Sequence, residues 1–292
     1  MLLFTACKEP LLTIYSEEGA RFPKSMMGSV AWAGLTPVEK VWDLRDIFHS
    51  STSLKSELER HGFHGSIACS HDRSSGFPLG AHFELHIEQG PILEESGKRI
   101  GVVLGAQAYR WLTFTVTGRD AHTGTTPLAS RKDPLLAAAK MIASSNAIAK
   151  RHNALASTGV IQVPPSASTN TVASEVVFTM DIRHPDDNVV SVVQEECLKS
   201  FKDIAREDGR GVDFGWTLDT DSPAAKFDKG CVAAVEEAAT RLTGPDGWTH
   251  ITSGAGHDSV NTSMRCPTAM IFVPCKDGVS HHPEEYCSPE DW

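Results

Sequence analysis

Apolar and polar side chains alternate through Phe83-Glu84-Leu85-His86-Ile87-Glu88, the period of a strand with one buried face. Glu84, His86 and Glu88 then share one face, Leu85 and Ile87 the other, and the surrounding 81–106 stretch reads as strands. A second alternating run covers 110–117, with Trp111, Thr113 and Thr115 set against Leu112, Phe114 and Val116. Shorter strand patterns lie at 11–15, 157–163, 172–183 and 212–218. The continuous apolar run 268–273 suits a buried parallel strand. Helical spacing appears elsewhere. Thr36-Pro37-Val38-Glu39 carries a capping-box pattern with Pro at the first helical position, and Val38, Val41, Trp42 and Leu44 line one face, so 36–62 reads as helical. Asp133-Pro134 opens a helix carrying Leu135, Ala138, Ala139, Ile142 and Ile148. Asp186-Asp187 opens another with Val189, Val192, Val193, Cys197 and Phe201, and 229–242 is an Ala-rich helix.

Across 110–219 the order is β-α-β-β-α-β, the split ferredoxin-like unit. It contains no Gly-rich phosphate loop, so it reads as a structural or dimerising insert. The expected fold class is therefore α/β: a layer built from 1–107 and 220–292, interrupted by an α+β domain at 108–219.

Composition narrows the function. The 292 residues have room for about two domains. A hydrophobic share of 40% and a charged share of 22% are ordinary for a globular chain. The net charge of -10 argues against nucleic-acid binding, which needs clustered Lys and Arg. No apolar run approaches the ~20 residues of a membrane helix, and Leu2-Leu3-Phe4 is too short for a signal-peptide core. The seven cysteines are scattered and never spaced C-x-x-C, which disfavours disulfides or a thiolate zinc site and fits a reducing, cytoplasmic setting.

Several positions carry candidate chemistry. Glu17-Glu18-Gly19 follows an apolar run; adjacent carboxylates point to opposite sides of the backbone, so one could bind a metal while the other faces a reacting water, or the pair could be a solvated turn. His86 is either a hydrogen-bonded buried histidine or a metal ligand backed by Glu84 or Glu88. His122 sits in the polar loop 118–127. His257 lies in Ser253-Gly254-Ala255-Gly256-His257-Asp258. His281, beside His282, follows the 268–273 strand at its carboxyl end, where open α/β sheets bind ligands.

Together, Glu17-Glu18, Glu84-Leu85-His86-Ile87-Glu88-Gln89-Gly90-Pro91, the loop 118–127, Asp181-Ile182-Arg183, the 253–258 loop and 280–285 resemble one family. It is that of the dinuclear zinc amidohydrolases: N-carbamoyl-L-amino-acid hydrolase, fungal-type beta-ureidopropionase and allantoate amidohydrolase. These belong to the zinc carboxypeptidase–aminoacylase superfamily, with an inserted dimerisation domain. The resemblance implies a zinc-exopeptidase-like catalytic layer, a ferredoxin-like dimerisation domain, a homodimer and two Zn2+ per subunit, with Mn, Co or Ni as alternatives. It implies hydrolysis of an N-carbamoyl amino acid or other ureido substrate to amino acid, CO2 and ammonia. By the same resemblance Glu17 is the general base, Glu18, His86 and His281 are metal ligands, and His122 stabilises the oxyanion across the dimer. Gln89 and His257 contact substrate, while Asn170 and Arg183 hold its carboxylate.

The chain departs from that family pattern before Glu17, where the family has a His-x-Asp motif and a bridging Asp. Residues 1–16 contain neither His nor Asp, and Ser16 stands where the family usually has Asn. The helix announced by Ser288-Pro289-Glu290-Asp291 does not follow. The expectation is a chain truncated at both ends relative to the family, binding at most a single zinc weakly. The alternative is an inactive remnant that only dimerises.

Overall fold

The computed structural model describes residues 21–207 and 210–291. The 11–15 strand and Glu17-Glu18 lie outside the described residues. The chain begins with three short helices, α1 (Met27–Trp32), α2 (Val38–Trp42) and α3 (Leu54–Arg60). Then come β1 (His82–Ile87), α4 (Ile92–Ser96) and β2 (Ile100–Ala106). The middle of the chain holds β3 (Ala108–Thr117), β4 (Ala121–His122), α5 (Pro134–Arg151), β5 (Leu155–Ser157), β6 (Ile161–Gln162), β7 (Thr171–Val172), β8 (Glu175–His184), α6 (Asp187–Glu207) and β9 (Asp213–Ser222). Last are β10 (Ala225–Lys226), α7 (Lys229–Thr243), β11 (Trp248–Ser253), α8 (Asp258–Thr262) and β12 (Thr268–Val273). Two compact units result, one running to Ala106 and resuming at Ala225, the other spanning Gln107–Ala224. Among the described residues no helix is long and apolar enough to cross a membrane.

In the first unit the sheet order is β1-β12-β2-β10, with β11 also on β2. β12 is the buried strand that its apolar run predicts, but the sheet is mixed: β12 lies parallel to β1 and antiparallel to β2. Val102, Val103, Met270 and Phe272 pack against Val232, Val235 and Ala239 of α7. The N-terminus of α7 is capped by Asp228, whose carboxylate accepts from the Cys231 backbone N–H at 2.9 Å.

The 36–62 segment is not one helix. α2 ends at Trp42, and α3 begins only after Ser53, whose hydroxyl and the Ser56 hydroxyl form the capping box. No side chain caps α2 at Pro37. The physical reason lies in Asp46. Its carboxylate accepts from Phe48 N–H at 2.8 Å and His49 N–H at 3.0 Å and pairs with Arg21 at 2.6 Å. That local turn competes with helical hydrogen bonding, as Asp side chains characteristically do.

The second unit keeps the predicted β-α-β-β-α-β order, with the short strands β4, β6 and β7 added. Its sheet runs β5-β8-β3-β9, with β6 also on β8, all pairs antiparallel. α5 and α6 contribute Ala138, Met141, Val193 and Phe201 to one core with Phe114 and Phe178. The rings of Phe114 and Phe178 stack at 5.0 Å, and Phe201 meets Phe114 edge-on at 5.1 Å.

Candidate active site

In the first unit the polar face of β1 carries His82, Glu84 and His86 in succession, the period of two that the sequence predicts. His82 and Glu84 are buried; His86, nearer the strand's carboxyl end, is partly exposed. α8 packs against β1, and the loop before it supplies His257. One donor atom from each of Glu84, His86 and His257 lies within 4.8 Å of the other two, a grouping that could hold a metal ion. The His86 and His257 rings meet at 4.6 Å, nearly perpendicular.

Two features prepare these imidazoles. His86 Nδ1 lies 2.7 Å from the Ile87 carbonyl, which accepts its proton and leaves Nε2 with the lone pair. His257 is 3% exposed, and burial, with His86 beside it, pushes its pKa down to about 3. Glu84 is held from α8: Ser259 donates its backbone N–H at 2.9 Å and its hydroxyl at 2.6 Å to the carboxylate. The other carboxylate considered as a partner of His86 does something else. Glu88 lies beyond the end of β1 and accepts from the N–H groups of Ile92 and Leu93 at 2.8 and 2.7 Å, capping α4.

Gln89 and His281 sit on neighbouring loops because β1 and β12 run parallel and end together, with Ile87 opposite Val273. Gln89 donates its side-chain amide to Ser280 Oγ at 2.8 Å. Ser280 donates onward to the Glu285 carboxylate at 3.0 Å, and the His281 backbone N–H donates to the same oxygen at 3.1 Å. This relay holds His281 at φ 58, a left-handed conformation uncommon for a residue with a side chain. Gly278, at φ 64, allows the approach: a Cβ there would stand 2.9 Å from the Gly90 backbone. The His281 residue is exposed.

In the second unit β4 pairs with β7, setting His122 opposite Thr171, and Thr123 N–H donates to the Asn170 carbonyl at 2.9 Å. His122 and Asn170 are thus neighbours. His122 Nδ1 accepts from Gly124 N–H at 3.0 Å and Thr125 N–H at 3.2 Å, so the neutral ring carries its proton on Nε2 and presents a donor. Arg183, on β8, pairs with Asp181 at 2.7 Å and lies over the Tyr109 ring at 5.3 Å.

The structure therefore gathers His86 and His257 with Glu84, joins Gln89 to the His281 loop, and joins His122 to Asn170. Glu17 and Glu18 lie outside the described residues. Sequence reasoning missed Ser259 and Glu285. Glu84 had a signal, its shared face with His86; Ser259, 175 positions from Glu84, had none.

Comparison with known proteins adds a family. The profile of Peptidase family M20/M25/M40 matches residues 11–292. The chain is 36% identical over 278 residues to an N-carbamoyl-L-amino-acid amidohydrolase of Rhizobium meliloti, covering 94% of this chain and 64% of that protein. It is 32% identical to an allantoate amidohydrolase of Bacillus subtilis, covering 95% of this chain and 65% of that one. The crystal structure of a hydantoinase/carbamoylase family amidase from Burkholderia multivorans superposes with a TM-score of 0.85 at 40% identity, over 94% of this chain and 65% of that chain. The chain thus spans slightly under two thirds of the length of these relatives.

Proposed function

The chain belongs to Peptidase family M20/M25/M40, and on that premise we propose a metal-dependent hydrolase of linear amide C–N bonds, acting on N-carbamoyl amino acids. The observation that carries this reading is the grouping of Glu84, His86 and His257, with His86 held as a tautomer whose Nε2 lone pair is open. The proteins this chain resembles at 36% and 32% identity are named for carbamoyl and allantoate substrates, which supports that choice of substrate.

Nitrogen and oxygen donors of this kind fit zinc. Of that grouping only His86 is proposed to hold the metal, together with His281 and Glu18 from outside it; Glu84 and His257 stand beside His86. Zinc, when bound, lowers the pKa of water to near ~7 and polarises a carbonyl. The remaining work falls to the protein. Glu17 is proposed to take the proton of the attacking water and return it to the leaving amine. The His122 Nε2–H donates to the oxyanion, an interaction of the kind worth about 3–4 kcal/mol where one such donor has been removed. Arg183 and Asn170 hold the substrate carboxylate; Asp181 keeps the Arg183 guanidinium oriented for a two-pronged contact that Lys could not copy. Gln89 and His257 contact the substrate. Water adds to the carbamoyl carbon, the C–N bond to the amino acid breaks, and the carbamate released decomposes to CO2 and ammonia.

The α+β unit is proposed to dimerise two copies, with His122 serving the partner's site, and the protein to work in the cytoplasm. No observation favours the inactive-remnant reading. The test is metal content per chain by elemental mass spectrometry after dialysis against zinc, with ammonia release from N-carbamoyl-L-alanine. Bound zinc and chelator-sensitive release support the proposal; a metal-free, inert protein overturns it.

A further inference from the structure

His122 owes its tautomer to the backbone around it. Gly124 and Thr125 aim their N–H groups at Nδ1, at 3.0 and 3.2 Å, and a backbone N–H can only donate. The imidazole lies close over Gly124, where a Cβ would stand 3.1 Å from His122 Cε1. The Gly124 N–H belongs to the same planar unit as the Thr123 carbonyl, and in a trans peptide the two point in opposite directions. Whatever holds the Thr123 carbonyl therefore aims the Gly124 N–H.

Arg131 holds it. Its Nη2 donates to the Thr123 carbonyl, and its Nε donates to the Thr126 carbonyl at 3.0 Å. Neighbouring backbone bonds place the side chain for this. Ser130 N–H donates to the Pro127 carbonyl at 2.9 Å, closing a single 3-10 turn over Leu128–Ser130 that returns the chain toward the loop. Arg119 N–H donates to the Lys132 carbonyl at 3.0 Å. Gly118 permits that approach, since a Cβ there would stand 2.4 Å from the same oxygen. Asp133 then caps α5, accepting from Leu136 N–H at 3.0 Å.

We infer that Arg131 is a positioning residue: it locks the Thr123–Gly124 peptide and so keeps His122 as the Nε2–H tautomer, the form that donates to an oxyanion. The catalytic purpose rests on the function proposed above; the lock does not. Without the guanidinium the peptide is free to turn over, and its carbonyl then faces Nδ1 in place of the N–H. An acceptor there draws the ring's proton to Nδ1 and leaves Nε2 with a lone pair, which repels developing negative charge. Two carbonyls held by one side chain suit the planar fork of Arg, which the compact ammonium of Lys does not reproduce.

The test is a long-range 15N–1H correlation spectrum of the full chain labelled in histidine, with the His122 signal assigned by its loss in His122→Gln. The parent is expected to show the Nε2–H pattern. Arg131→Ala gives a mixture in which Nδ1–H is present, and Arg131→Lys falls between the two. With N-carbamoyl-L-alanine, Arg131→Ala lowers kcat on the order of 10-fold and leaves KM within about two-fold, the mark of an interaction made in the transition state. Added to His122→Gln, Arg131→Ala costs nothing further, because residues acting through one donor are not additive. Should Arg131→Ala not fold, Arg131→Lys carries the test, since it keeps the charge. An Nδ1–H pattern in the parent, or an unchanged pattern in the folded Arg131 variants, overturns the lock. A full further loss on the His122→Gln background, or an unchanged kcat, overturns its action through His122. The tautomer is read without turnover or metal, so failure of the proposed hydrolysis is seen separately.

Discussion

Ser259 donates both its backbone N–H and its hydroxyl to the Glu84 carboxylate, at 2.9 and 2.6 Å, across 175 positions of sequence. The bond pair fastens α8 to the polar face of β1 at the level of His86 and His257. A carboxylate that is 2% exposed needs such donors, because removing one leaves part of a buried charge unsatisfied. Ser259→Ala deletes the shorter bond and keeps the backbone one. It is expected to cost about 1–3 kcal/mol of stability, read as a lowered urea midpoint with unchanged slope.

His82 gives a pH signature. It is 0% exposed, with Ser259 and Thr262 hydroxyls at 3.2 and 3.1 Å from Nδ1, and burial pushes its pKa down to about 4. In the unfolded chain an imidazole titrates near ~6.5, so between the two values the unfolded state binds more protons. His82 therefore contributes its stability in full above the unfolded value and loses it as pH falls toward 4. The full contribution is about 3 kcal/mol. Urea midpoints should fall between pH 7 and pH 5, and His82→Gln should flatten that slope.

Glu285 gathers the Ser280 hydroxyl and the His281 N–H on one oxygen. Glu285→Ala frees the loop to leave the left-handed conformation at His281. The expected result is faster amide exchange at residues 280–282 and a loss of about 10–100-fold in zinc affinity, the usual scale for removing a group that orients a ligand. Urea stability should change little, because the loop is exposed.

His86→Ala removes the imidazole whose tautomer the Ile87 carbonyl sets. Zinc retained after dialysis is expected to fall by more than about 10-fold, with turnover lost in parallel. Retention of the metal at parental levels would move the centre away from β1.

Arg183→Lys keeps the charge and loses the planar fork that now faces Asp181. KM for N-carbamoyl-L-alanine is expected to rise by on the order of 10-fold with kcat little changed, the mark of lost ground-state binding.

The alternating 83–88 run and the apolar 268–273 run were legible as strands because side-chain period is a local property. The split β-α-β-β-α-β order was legible for the same reason. The 36–62 segment was not: its apolar spacing is helical, yet the Asp46 side chain captures the backbone that would continue the helix. Glu88 shows a different limit. It shares the period of His86, but the strand stops at Ile87 and its carboxylate turns to α4.

The sequence by itself determined which face of β1 is polar, which residues on that face can bind metal or protons, and which family motifs the chain carries, since all three are written in neighbouring residues. Only the tertiary structure decided what each group does. The tautomer of His122 depends on the backbone donors that its folded loop places around Nδ1. The anchoring of Glu84 depends on α8, and the pose of His281 on Gln89 and Glu285. A proton's position follows the nearest partner in space, and chain folding alone brings Ser259 to Glu84 or Ser280 to Gln89.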